Sequence, residues 1–238
     1  MLEFFGYNWE CSMEDGRIIH PDYPYMYYSE SCIMIHEHGI LELGMKKAPK
    51  KIKHWDGNTY EPSYACGLLR SVDTFSYGTF SAEIIMPRGV NLWPSFWLCG
   101  TGPWPESGEI DIAEGYSEDT NYFRLFTPYF PWINPSWMTT TNVHYQLNGE
   151  HKQLGSKSIS IFKQKYYPDS NFLKYECKWE PEKITILIDG KVVRKDTDVV
   201  KLFKSDKVNV IFNLFCENTN PKLNTPMLIK SFNYKPLT

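Results

Sequence analysis

Ser107-Gly108-Glu109-Ile110-Asp111-Ile112-Ala113-Glu114 sets three acids into a segment otherwise built for burial. Side chains alternate along a strand, so Glu109 and Asp111 share one face while Ile110 and Ile112 share the other. Glu114 breaks the pattern, because it lies an odd number of steps from Glu109 and would point into the apolar face of a regular strand. One extra residue absorbed as a bulge near Ile112-Ala113 returns it to the acidic face, and bulges are frequent beside active sites. The competing reading ends the strand at Ala113 and leaves Glu114 in a loop. Buried carboxylates are costly without a task, so the run directs attention to what surrounds it.

Outward from this run, the chain reads as short strands separated by turns. Tyr77–Met86 alternates, with Phe80, Ala82, Ile84 and Met86 on one face and Thr79, Ser81 and Glu83 on the other. Cys32–Ile35 and Ile40–Met45 pair around His38-Gly39. Trp93–Cys99, Glu109–Glu114, Tyr122–Phe126, Val143–Leu147, Ile159–Lys163, Phe172–Trp179, Ile184–Ile188, Val208–Phe215 and Met227–Tyr234 are further strands. Asp189-Gly190 is a hairpin turn into Lys191–Arg194. Asp198–Lys204 alone suggests a helical turn. The expected architecture is an all-β jelly roll, two antiparallel sheets packed as a sandwich with a concave substrate cleft. At 238 residues the chain fits a single domain spanning 1–238, since all-β sandwiches of this size run undivided.

Composition narrows the partners. A net charge of −3 offers no basic field for nucleic acid, and no apolar run reaches the length of a membrane span. Met1-Leu2-Glu3-Phe4-Phe5-Gly6 has neither the basic nor the apolar stretch of a secretion signal, so either a signal has been removed or export takes another route. Six cysteines are dispersed with no C-x-x-C spacing; Cys66, Cys99 and Cys177 sit where small or apolar residues pack and are expected as free, buried thiols. Aromatic residues make up 16% of the chain, and flat rings with polar edges suit sugar-binding clefts as well as cores. The segment Thr127–Thr141, with Pro128, Tyr129, Phe130, Pro131, Trp132, Pro135 and Trp137, is expected as a loop forming a cleft wall. His36-Glu37-His38 resembles a metal pair but abuts a turn and lacks a third ligand, so no metal is assigned there. The lysine run from Lys46 to Lys53 is expected as a solvated loop.

The acid run acquires its context from ordered neighbours: Tyr77-Gly78-Thr79-Phe80, then Leu92-Trp93-Pro94-Ser95-Phe96-Trp97-Leu98, then Trp104-Pro105-Glu106 leading into Ser107–Glu114. This set resembles glycoside hydrolase family 16, and its laminarinase-like branch in particular. Cys66-Gly67-Leu68-Leu69-Arg70-Ser71, Asn142-Val143-His144-Tyr145 and Trp179-Glu180-Pro181-Glu182-Lys183-Ile184 with Asp189-Gly190 extend the likeness over nearly the whole chain. The resemblance implies an endo-acting, retaining hydrolase of β-linked polysaccharide, acting outside the cell or in its envelope, as a monomer and without a cofactor. It casts Glu109 as nucleophile, Asp111 as assisting acid and Glu114 as general acid/base, in the bulged E-x-D-x-x-E form. It implies a β-1,3- or mixed-linkage β-glucan as substrate, with a β-galactan or mucin O-glycan as a rival, and a non-catalytic glycan-binding module as the rival outside enzymology.

For the substrate, the resemblance implies roles for Trp93 and Trp97, which share a strand face and are stacking platforms if that face is the cleft, for Trp104 as a cleft-lining ring, and for His144 beside the acids. Trp132 and Trp137 are expected in the cleft wall, and Asn213 on a cleft strand. Arg70 either reaches substrate or bridges acids. Structural calcium, common in the family, is not expected: Lys230 stands where the last strand would carry an aspartate. On a flat strand the Cα atoms of Glu109 and Glu114 would lie roughly 13 Å apart, so curvature and inward-leaning side chains must close the gap to the roughly 5–5.5 Å of a retaining pair.

Overall fold

A computed structural model describes residues 1–14, 16–20, 22–54, 56–87, 91–116, 138–155, 157–160, 172–216, 221, 223 and 225–238. Two large antiparallel sheets hold most of the strands. The larger, nine-stranded among the described residues, runs in the order Leu2–Phe4, Tyr7–Glu10, Leu68–Ser71, Val208–Cys216, Leu92–Gly100, Glu109–Tyr116, Met138–Leu147 and Glu150–Gln153, with Lys157–Ser160 also paired to Met138–Leu147. The second, seven-stranded, runs Lys191–Thr197, Lys183–Ile188, Leu173–Glu180, Gly78–Ile85, Met227–Pro236, Leu41–Leu43 and Ile33–Ile35. Met26–Tyr28, Tyr64–Cys66 and Met45–Lys47 form a small third sheet, and Ile52–Lys53 pairs with Thr59–Tyr60. This is the expected all-β sandwich, and no helix among the described residues is long and apolar enough to cross a membrane.

Period-two alternation explains why the sheets close on each other. Leu92, Pro94, Phe96 and Leu98 are buried while Trp93, Trp97 and Cys99 on the opposite face stay half-exposed. In Val208–Cys216, Val210, Phe212 and Leu214 face the core; Asn209, Ile211 and Asn213 lie on the other side. Across the interface Phe96 stacks on Phe212 at 4.6 Å between centroids, and Phe232 from the second sheet meets Phe212 edge-on at 5.8 Å. Trp9 lies 5.7 Å from each of Phe212 and Phe232. These offset and edge-to-face arrangements are the ones ring quadrupoles favour.

Most expected strands are present, with informative differences. The Asp189-Gly190 turn has φ of 48° and 76°, as a two-residue hairpin turn requires, and His38, at φ 61°, makes the turn between Ile33–Ile35 and Leu41–Leu43. The strand expected at Val143–Leu147 begins at Met138, so Met138–Thr141 belongs to the sheet rather than to a loop. Its Thr-Thr-Thr run suits a strand, because β-branched residues fit the pleat. Asp198–Lys204 holds a short 3₁₀ turn, Val199–Leu202. The run from Lys46 to Lys53, expected as a solvated loop, takes part in two short strands, Met45–Lys47 and Ile52–Lys53. Cys66 and Cys177 are free and buried as expected, but Cys99 is half-exposed, on the open face. The strand expected at Tyr122–Phe126, and the ring-bearing residues Trp132 and Trp137, lie outside the described residues.

Candidate active site

The acids stand on Glu109–Tyr116, between Leu92–Gly100 and Met138–Leu147. The register gives the bulge directly: Trp97 faces Asp111, Phe96 faces Ala113 and Ser95 faces Glu114, while on the other side Asp111 faces Asn142 and Glu114 faces Thr140. Ile112 and Ala113 together occupy one step. Ile110, Ile112 and Ala113 are fully buried, and all three acids reach the open face of the sheet. The approach to the strand is tightly held. Gly108 has φ +88°, and a Cβ there would lie 2.3 Å from the Phe203 ring, so glycine alone permits both the turn and the packing.

Two of the acids are held by indole donors. Trp104 Nε1 donates to Glu109 Oε2 at 2.8 Å, and Trp93 Nε1 donates to Glu114 Oε1 at 2.9 Å. Asp111 is the deepest, 3% exposed, with His144 Nε2 3.2 Å from its Oδ2. His144 Nε2 is also 3.9 Å from Glu109 Oε1. Burial is the largest influence on all three carboxyls and pushes each upward. Repulsion adds to it: Asp111 and Glu114 raise Glu109, and Glu114 raises Asp111, both well above the usual carboxylate range. Glu114 also rises, against the opposing pull of the Trp93 N–H. The cluster therefore retains protons at a pH where ordinary carboxyls have lost theirs.

The other sequence-derived residues sort by neighbourhood. Trp97 is on the acid-bearing face and donates its indole N–H to Asn213 Oδ1 at 2.8 Å, which joins two of them. Trp93 also meets Tyr23 and Phe215 edge-on, at 6.1 and 5.8 Å. Trp104 is 51% exposed, leaving a ring open to solvent beside Glu109. Arg70 bridges an acid, donating to Glu10 Oε2 at 2.8 Å, and also to the Ser12 carbonyl at 3.1 Å. Residues that sequence reasoning passed over are Asn142, His151 and Gln153. Asn142 Nδ2 is 3.0 Å from His144 Nε2 and 2.8 Å from Gln153 Oε1, and His144 Nδ1 is 2.8 Å from His151 Nε2. The missed signal was Asn148-Gly149, at φ 54° and 81°, a hairpin dipeptide that folds Glu150–Gln153 back beside His144.

One ligand atom each from Glu109, Asp111 and His144 lies within 4.8 Å of the others, yet a metal on His144 Nε2 would have to displace the Asn142 amide. Where the resemblance implies a calcium carboxylate, Lys230 Nζ lies 3.1 Å from Glu83 Oε1 and Ser231 Oγ 3.2 Å from Oε2. An ammonium group already pairs with the Glu83 carboxylate at this position.

The sequence profile of glycosyl hydrolases family 16 matches residues 22–219. The chain belongs to this family. The β-glucanase of Rhodothermus marinus is 23% identical over 162 residues, 65% of this chain and 47% of that protein. This family 16 chain spans less than half the length of the curated relatives it matches. Among solved structures, LamAcat from Zobellia galactanivorans superposes with a TM-score of 0.68 at 18% identity, covering 92% of this chain and 88% of that one. A structure reported for endo-acting O-glycanases of human gut microbiota gives 0.71 at 16% identity, covering 96% and 84%. At these identities the superpositions establish a shared fold.

Proposed function

We propose that this family 16 chain is an endo-acting, retaining glycoside hydrolase that cleaves β-linked polysaccharide, with a β-1,3- or mixed-linkage β-glucan as substrate. The observation that carries the reading is the bulge at Ile112-Ala113, which puts three acids on one open face, Glu109 and Glu114 each held by a different indole N–H. Glu109, held by the Trp104 N–H, attacks the anomeric carbon. Glu114 protonates the departing oxygen and then, deprotonated, activates the water that releases the glycosyl-enzyme. Asp111 lies between them and tunes their protonation. Exposed Trp104 and half-exposed Trp97 offer ring faces to sugars; Asn213 fixes Trp97. The chemistry needs no cofactor, and we read the chain as one catalytic domain, monomeric, acting outside the cell or in its envelope. A binding module of the same fold has no use for three adjacent carboxyls whose burial is costly.

Glu109→Gln and Glu114→Gln should each lower reducing-end release from β-glucan by at least about a thousandfold, while affinity measured by gel retardation persists. Proton NMR of the first wild-type product should show the β-anomer. Undiminished hydrolysis by either variant, or initial α-anomer, would sink the assignment. The Pro- and aromatic-rich run 127–141 favours β-galactan or mucin-type O-glycan as a second substrate class, so the assay panel must contain both.

A further inference from the structure

His144 sits in a hydrogen-bond circuit whose donors and acceptors can be counted. Asn142 Oδ1 accepts the Val143 backbone N–H at 2.9 Å, which pins the amide. Its Nδ2 is then the atom facing Gln153 Oε1 and His144 Nε2. An amide nitrogen only donates, so His144 Nε2 accepts and bears no proton. The single proton of a neutral ring lies on Nδ1, 2.8 Å from His151 Nε2, and is donated to it. His151 takes this role from the end strand Glu150–Gln153, its ring 4.6 Å from that of Trp104, the same indole that donates to Glu109.

Asp111 faces this bare nitrogen. Its Oδ2 lies 3.2 Å from His144 Nε2, but a bare Nε2 offers it no N–H, and this buried oxygen has no hydrogen-bond donor among the described residues. A carboxylate oxygen facing a nitrogen lone pair in a buried site is unfavourable unless a proton lies between them.

We propose that His151, together with Asn142, is a positioning residue: it holds His144 in the neutral Nδ1–H tautomer and thereby keeps Asp111 protonated in the resting protein. Burial and the charge of Glu114 push Asp111 in the same direction. His151 stays an acceptor because desolvation first, and the charge of Lys152 after it, hold it below the ordinary histidine range. The other groups around it are Trp104 and the exposed Glu150, whose carboxylate pairs with Lys152; around His144 are Glu109, Asp111 and Glu114. Asp111 also feels Glu109 and the Arg194 charge, both of which oppose its rise and are outweighed by burial and Glu114. A neutral Asp111 spares Glu109 one of its two repelling neighbours. The value of that to catalysis rests on the reading of Glu109 as nucleophile given above.

The test is long-range ¹H–¹⁵N correlation on histidine-labelled full chain without substrate, with the His144 signals assigned by their loss in His144→Gln. Wild type should show His144 as the Nδ1–H tautomer. His151→Phe keeps a ring against Trp104 but removes the acceptor; its His144 should move to the Nε2–H form, and kcat should fall about ten- to a hundredfold with KM within about twofold. His151→Gln, whose amide oxygen can accept, should retain the Nδ1–H form and most of kcat. A wild-type Nε2–H ring, an unswitched ring in His151→Phe, or an undiminished kcat in that variant each overturns the proposal. Because the tautomer is read in the free protein, failure of hydrolysis on every glycan would defeat the proposed function and leave the tautomer assignment standing.

Discussion

Asp111 is 3% exposed and has acidic neighbours along its own strand, so its ionisation opposes folding. Its carboxyl is raised above the usual range by burial first and by Glu114 second; Glu109 and Glu114 are raised too. A carboxyl raised in the folded state contributes stability that is complete below its unfolded value, near pH 4, and is lost as pH climbs through the raised folded value. The melting temperature of the wild-type protein should therefore decline from mildly acid to mildly alkaline pH, and Asp111→Asn should flatten the decline. Each unit of upward shift corresponds to about 1.4 kcal/mol, or roughly 2–4 °C for a chain of this length. Calorimetry from pH 5 to 8 checks it; a variant whose curve parallels wild type would show that Asp111 titrates normally. The acids were legible in the sequence because the odd step to Glu114 has few physical solutions. His151 and Gln153 were not, since their importance comes from which residue they face across a hairpin.

The element that positions the acids is a strand entered through Gly108 and interrupted by one bulge. A Cβ at Gly108 would lie 2.3 Å from the Phe203 ring, and the backbone is left-handed at φ +88°. Gly149 is also left-handed, at φ +81°, but has nothing within 4 Å of its would-be Cβ. Gly149→Ala thus reports conformational strain alone, about 1 kcal/mol, whereas Gly108→Ala adds steric conflict and should cost about 2–4 kcal/mol. Urea denaturation of both variants measures the difference, and equal losses would mean that Phe203 yields freely. Strands with strict alternation, such as Gly78–Ile85, could be read from the chain because one face must be apolar. Leu2–Phe4 and Tyr7–Glu10 could not: they are three and four residues long, too short for a period to establish itself. Met138–Thr141 was hidden for a different reason, since its threonines suit strand and loop alike and the aromatic run before it drew the boundary too late.

At the scale of the whole molecule, two sheets share the work unequally. The larger carries the acids on its outer face, and the smaller closes the core beneath it. Phe232 is the smaller sheet's contribution to the central ring cluster, 2% exposed and packed edge-on against Tyr7, Trp9, Phe75, Phe96 and Phe212. Phe96 and Phe212 lie on the two strands next in order to the acid-bearing one, and their side chains point away from the open face. Ladder hydrogen bonds and the bulge fix where Glu109 and Glu114 stand, and neither depends on Phe232. Phe232→Ala should therefore cost about 3–5 kcal/mol of stability by opening a cavity between the sheets. Well below its melting temperature the variant should retain kcat within about twofold. Melting curves and initial rates on the same preparation test both halves. A small loss of stability with a tenfold loss of kcat would instead mean that core packing sets the spacing of the acids, and that the outer face is not an independent platform.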